Sequence, residues 1–230
     1  MKTQQVLILQ HSNGSPPGST IQWLKQKSLP YHIHHYGEAS FQPNLEKYHS
    51  LVICGGGMNV DEEHLHPWLH SEKKLIETAM KKNMPTIGLC LGAQLIAEVL
   101  GAKVHRHSVI EAGWHDIHID PTVHHKINFS KKILRAFQWH SYAFETPLSA
   151  IRFAHNEITP NQGFLYQDHV VATQFHPETT IDWTEACLLD PDYPQGTFCQ
   201  NPEQVRAKNK TQPELQSWYF QLLEQYLQQK

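Results

Sequence analysis

A cysteine with a glycine two residues before it and another two after, in Gly88-Leu89-Cys90-Leu91-Gly92, closes one apolar run and opens another. Residues 86–89 read as a short buried strand, and residues 92–100 as a helix with Leu95, Ile96, Val99 and Leu100 on one face and Gly101 as its stop. A strand that turns straight into a helix at a small-residue corner restricts the chain to an α/β layer fold. The corner lifts the sulfur out of the backbone and sets it at a helix N-terminus. There the dipole favours thiolate over a thiol that ordinarily titrates near ~8.5. Taken alone, the segment also suits a buried cysteine whose glycines serve only helix–sheet packing.

The flanking sequence repeats the strand–helix alternation. Residues 6–9, 32–36 and 51–54 read as strands, the last ending in Gly55-Gly56-Gly57. Ser12-Asn13-Gly14-Ser15-Pro16-Pro17-Gly18 reads as loop, with Ser19 or Thr20 capping a helix that carries Ile21, Trp23 and Leu24. Pro67 opens a second helix, with Trp68, Leu69, Leu75, Ile76, Ala79 and Met80 at helical spacing. From residue 103 to 175 the texture changes to short strand-like runs at 115–119, 134–139, 150–154, 163–166 and 170–175, which predict β-hairpins added to a parallel core. A helix follows Glu178 through Leu188, residues 190–202 read as loop, and residues 213–228 form an amphipathic helix docked on the same core. The expectation is an α/β three-layer sandwich with a mostly parallel central sheet, extra hairpins and a C-terminal amphipathic helix. Residues 1–190 form the domain, and residues 191–230 a loop and helix packed on it. Ligands in such sheets sit at the carboxyl ends of the strands, where both Gly55-Gly56-Gly57 and Cys90 stand.

Composition removes several classes. Lys plus Arg is 19 against 22 for Asp plus Glu, a formal charge of −3, and no basic stripe runs along any segment. Neither nucleic acid nor a membrane surface is therefore an expected partner. The apolar run at 6–9 is too short for a signal-peptide core or a span, so a cytoplasmic protein is expected. Cys54, Cys90, Cys187 and Cys199 form no C-x-x-C pair, which argues against a zinc ribbon or redox dithiol and for free thiols. Among the 18 histidines, His66 and His70 fall at one-turn spacing, but no cysteine or carboxylate completes a ligand set; neither metal nor cofactor is expected.

A nucleophilic thiol needs a base and a group that orients it. Gln174-Phe175-His176-Pro177-Glu178 supplies both: in extended chain, residues two apart share a side, so Glu178 reaches the His176 imidazole. A surface histidine near a carboxylate is the plainer alternative. Acyl transfer also needs donors for the developing oxyanion. The Leu91 N–H, directly after the thiol, is one, and Gly56 in the glycine loop is the other; no G-K-[ST] follows that loop, which disfavours a phosphate site.

Taken together, Gly55-Gly56-Gly57-Met58-Asn59-Val60, Pro67-Trp68-Leu69, Gly88-Leu89-Cys90-Leu91-Gly92-Ala93-Gln94, Glu111-Ala112-Gly113-Trp114, Trp139-His140-Ser141 and Phe175-His176-Pro177-Glu178 resemble, in order, the class I glutamine amidotransferases. The likeness is greatest to free-standing relatives of the GMP synthase glutaminase domain. The resemblance implies a flavodoxin-like glutaminase fold with Cys90, His176 and Glu178 as the catalytic triad. It also implies Gly56 and Leu91 as the oxyanion hole, and Gln94, Ser141 and Tyr142 around the amino-acid end of the substrate. The expected substrate is glutamine, attacked at its side-chain amide with release of ammonia, or a γ-glutamyl peptide or conjugate. A silent regulatory module is a third reading. Gly57 departs from the family's usual proline. No nucleotide loop precedes Lys230, so the acceptor chemistry is expected to be absent or to belong to a synthetase or acceptor-domain partner. Oligomerisation stays open.

Overall fold

The computed structural model describes residues 5–36, 43–127 and 129–228. Residues 1–4, which precede the first apolar run, lie outside them. In chain order the elements are β1 (Gln5–Gln10), α1 (Ser19–Gln26), β2 (Tyr31–His35), β3 (Tyr48–Ile53), α2 (Trp68–Lys81), β4 (Thr86–Leu89), α3 (Leu91–Val99), β5 (Val104–Ile119), α4 (His124–Ile127), β6 (Ile133–Phe144), β7 (Ala150–His155), β8 (Gly163–Tyr166), β9 (Val170–Thr173), α5 (Ile181–Leu188), α6 (Pro202–Lys208) and α7 (Gln212–Leu227).

All nine strands join one sheet in the order β2-β1-β3-β4-β9-β8-β7-β5-β6. The first five are mutually parallel and the remaining pairings antiparallel. The hairpins predicted for the second half extend the parallel sheet at its β9 side. Period-two alternation explains the sandwich. Val6, Ile8 and Val52 pack on one face with Trp23, Leu215, Trp218, Tyr219 and Leu222. Leu7, Leu9, Leu51 and Ile53 pack on the other with Leu69, Ile76, Ala79, Leu95 and Ile96. A sheet buried on both faces yields the continuous apolar runs seen in β1 and β3. Helix α7 has no side-chain cap at Thr211, so its stability comes from docking Leu215, Trp218, Tyr219, Leu222 and Leu223, at roughly 1.5–3 kcal/mol per fully buried side chain.

Three local expectations change. The start of α1 is capped by neither Ser19 nor Thr20; both lie inside the helix, and Gly18 precedes it at φ 50°. Strand β5 is 16 residues long, against the five predicted, and breaks register against β6 between Arg106 and Glu111. Its first half is polar and part-exposed, so no apolar period marks it. Helix α6 begins at Pro202, where the prolines read as loop. There Pro202 takes the first turn, and Asn201 and Gln204 form a reciprocal capping box. Among the described residues no helix is long and apolar enough to cross a membrane.

Candidate active site

The carboxyl ends of β3, β4 and β9 converge on Cys90. The chain turns from β4 into α3 at this residue with φ 52° and ψ −105°, a conformation that side-chain-bearing residues rarely adopt. The corner is possible because α3 lies almost on the sheet: a Cβ on Gly92 would sit 2.3 Å from the Ile53 carbonyl oxygen, and one on Gly88 2.9 Å from Gly92. Cys90 N–H donates to the Thr173 carbonyl at 2.8 Å, tying the corner to β9. The thiol is 6% exposed. It donates weakly to the Trp139 carbonyl at 3.8 Å and accepts from Gln174 Nε2 at 3.6 Å.

His176 and Glu178 lie just past the end of β9. The His176 N–H donates to the Phe137 carbonyl at 2.9 Å, which fixes the backbone against β6. Glu178 Oε1 accepts from His176 Nδ1 at 2.8 Å, both side chains buried. The link differs from the expectation: Pro177 and Glu178 form a turn, closed by Thr179 Oγ1 donating to the His176 carbonyl at 2.6 Å. Because Glu178 occupies Nδ1, Nε2 is the nitrogen left for the thiol. Burial pushes the imidazolium toward neutrality, but Glu178 and Cys90 outweigh it and raise the His176 pKa to about 10. The Trp183 indole closes over the imidazole edge-on, centroids 4.9 Å apart.

Glu178 is also held through its backbone. Its carbonyl accepts the Ser19 N–H at 2.8 Å, and a Cβ on Gly18 would stand 2.2 Å from that oxygen. Gly18→Ala is therefore expected to cost about 1–3 kcal/mol through the positive φ alone, and more through the clash. Urea unfolding measures the loss; a variant as stable as the parent would contradict the contact.

Of the expected oxyanion donors, Leu91 is the first residue of α3, where the helical ladder takes no N–H. Gly56 lines a cavity of about 460 Å³ with Cys90, His176, Trp139 and Trp183, the loop at Ser12 to Ser15 and the end of α5. A Cβ on Gly57 would meet nothing within 4 Å, so the absence of proline leaves the loop open there. Gln94, expected at the substrate's amino-acid end, is 4% exposed. Its Nε2 donates to Gln174 Oε1 at 3.2 Å and to the Tyr142 carbonyl at 3.4 Å, so Gln94 and the 141–142 segment do come together. None of Gln94, Met58, Ser141 and Tyr142 lines the open cavity beside Cys90.

Sequence reasoning passed over several residues of the site. Gln174 bridges Gln94 to the thiol, and its place two residues before His176 was its only signal. His11 and Glu72 form a buried pair under the glycine loop. Glu111 and His140, directly opposite each other on β5 and β6, form a second. Among the described residues no cluster of three or more His, Cys, Asp or Glu side chains is arranged to hold a metal.

Comparison with known proteins gives the family and the fold. Residues 19–190 match the family described as Glutamine amidotransferase class-I. The glutamine amidotransferase-like protein YfeJ of Salmonella typhimurium is 26% identical over 228 residues, covering 94% of this chain and 95% of that protein. A subunit of the glutamine-hydrolyzing GMP synthase of Sulfolobus acidocaldarius is 30% identical over 138 residues, covering 58% of this chain and 69% of its own. A glutamine amidotransferase structure from Thermotoga maritima superposes with a TM-score of 0.82 at 28% identity, over 97% of this chain and 98% of that one. One from Methylobacillus flagellatus reaches 0.92 at 23% identity, over 100% and 97%, a likeness of fold.

Proposed function

The chain belongs to the class I glutamine amidotransferase family, and from that premise we propose that it is an amide hydrolase acting on the side chain of glutamine through a glutamyl thioester on Cys90. The observation that carries this reading is Cys90, at a strained strand–helix corner, lining one cavity with an imidazole whose Nδ1 is held by Glu178 at 2.8 Å. In the proposed sequence the Cys90 thiolate attacks the side-chain carbonyl carbon, and the Gly56 and Leu91 N–H groups receive the charge on its oxygen. The His176 imidazolium gives its proton to the departing nitrogen; the carbon–nitrogen bond breaks and ammonia leaves. Water then attacks the thioester, His176 takes its proton, and the carbon–sulfur bond breaks to free glutamate. Gln94, Ser141 and Tyr142 are proposed to face the amino-acid end. The ammonia passes to water or to an acceptor enzyme on another chain.

The test is glutamate release from glutamine with mass spectrometry of the acid-quenched enzyme. The expected result is glutamate in step with ammonia, and a glutamyl adduct on the peptide containing Cys90. An adduct on Cys54, Cys187 or Cys199 instead would remove the mechanism.

One observation favours a second reading. The cavity beside Cys90 measures about 460 Å³ and is walled by Trp139 and Trp183, room for an apolar amine beside a glutamyl group. A γ-glutamyl amide of a larger amine would fill it with the same bond-breaking steps. On this reading kcat/KM for γ-glutamyl amides of aromatic amines exceeds that for glutamine by about 10-fold or more, the scale of burying a few extra carbons. Equal or lower values would leave glutamine as the substrate.

A further inference from the structure

An oxyanion hole built on three consecutive glycines has a built-in weakness. Glycine rotates freely, so the Gly55–Gly56 peptide can present its N–H to the site or turn over and present its carbonyl. The second orientation would repel the developing negative charge. We propose that His11 and Glu72, a buried pair outside the triad, are positioning residues that lock this peptide with its N–H toward Cys90. The proposal rests on the acyl-transfer reading above.

His11 follows the last residue of β1, and its side chain is fully buried, as is that of Glu72 on α2. Its Nδ1 lies 2.9 Å from the Gly55 carbonyl oxygen and its Nε2 2.9 Å from Glu72 Oε1. A carbonyl only accepts, so Nδ1 carries a hydrogen. The Nε2 side then shares a second proton with the carboxylate. Burial disfavours a cationic ring here, but Glu72 and the Gly55 carbonyl outweigh it and raise the proton affinity of His11. The ring cannot swing away, because it stacks on Tyr36 and Trp68 at centroid distances of 5.7 and 5.5 Å, planes within 7° and 14°.

The consequence for the peptide follows from planarity. In a trans peptide C=O and N–H point in opposite directions, and the described chain holds no cis bond. With the Gly55 oxygen bound to His11, the Gly56 N–H points away from His11. Among the described residues it has no hydrogen-bond acceptor. Gly55 lies beside the thiol and the imidazole: a Cβ built on it would stand 3.0 Å from His176 Cε1 and 3.6 Å from Cys90 Cβ. A donor bound to the carbonyl also polarises the peptide, which strengthens its N–H as a donor in turn. Among the described residues Glu72 Oε2 is buried with no hydrogen-bond partner, a cost in stability that fits a group retained for function.

The test separates acylation from alkylation. Iodoacetamide is attacked at a saturated carbon, where no oxyanion develops, so its rate reports the thiol without the hole. In His11→Phe the kcat for glutamate release is expected to fall roughly 10²–10³-fold, the scale of losing one oxyanion donor. KM and the alkylation rate of Cys90 stay within about twofold. His11→Gln, whose amide can still donate to the Gly55 carbonyl, should recover part of the loss. Glu72→Gln, the milder change should His11→Phe fail to fold, is expected to lower kcat by about 10- to 100-fold with KM unchanged. A folded His11→Phe or Glu72→Gln with unchanged kcat would overturn the inference alone, as would equal losses of acylation and alkylation. A wild-type protein that alkylates at Cys90 but hydrolyses neither glutamine nor γ-glutamyl amides would overturn the acyl-transfer reading, and the inference with it.

Discussion

Replacing Cys90 by glycine is expected to abolish glutamate release and to leave a more stable protein than replacement by alanine. Loss of a triad nucleophile costs about 10⁶-fold in kcat, because the remaining groups act only in concert with it. Both variants lose the thiol and so lose the activity alike. They differ in the backbone: at φ 52° and ψ −105° the alanine variant keeps its Cβ in a nearly glycine-only region, at a cost of order 1–3 kcal/mol, and the glycine variant does not. After the greater chain entropy glycine gives up on folding, the glycine variant should exceed the alanine one by about 1 kcal/mol in urea unfolding. Glutamate release from either variant at the parent rate would exclude Cys90 as the nucleophile. A glycine variant less stable than the alanine one would show that the corner is unstrained.

The corner at Cys90 could be read from one segment because its causes are local. A buried strand, a cysteine between two glycines and a largely buried helix lie within fifteen consecutive residues, and the role of the corner follows from its neighbours in sequence. The His176–Glu178 contact was legible for the same reason, although the geometry joining them is a turn and not extended chain. His11 was not legible, since its partners lie 44 and 61 residues away and a histidine after a strand looks the same whether it faces water or a carbonyl. Strand β5 was underread because its first half is polar and part-exposed, so pairing with β6, not burial, makes it a strand. The same limit applied to Glu111, which stood in a recognisable block but carried no local sign of what it binds.

That carboxylate carries the second large expected effect. Glu111 is fully buried and accepts from Asn156 Nδ2 at 2.6 Å, Thr159 Oγ1 at 2.5 Å and Gln162 Nε2 at 3.0 Å. His140 Nε2 stands 3.2 Å away, outside hydrogen-bond alignment. Burial pushes the carboxyl up, yet His140, Thr159 and Asn156 together bring it down to about 2. A carboxyl lowered from an ordinary 4.5 contributes stability in full above that pH and loses it as pH falls toward about 2, here about 3 kcal/mol. Glu111→Ala leaves four polar partners buried around a void and is expected to cost about 3–5 kcal/mol at neutral pH, a large share of a typical domain's 5–15. Glu111→Gln should cost less, and its urea midpoint should fall less steeply than the parent's between pH 4.5 and 2. Parallel pH profiles for parent and Gln variant would refute the assignment. The loss should reach the active site as well, because His140 Nδ1 donates to the Tyr142 carbonyl at 2.9 Å, the same oxygen that Gln94 contacts. Residue 139, one position before His140 on β6, supplies the carbonyl against the Cys90 thiol. Any activity left in a folded Glu111→Ala protein should therefore show a raised KM, since the segment it loosens is the one proposed to face the amino-acid end of the substrate.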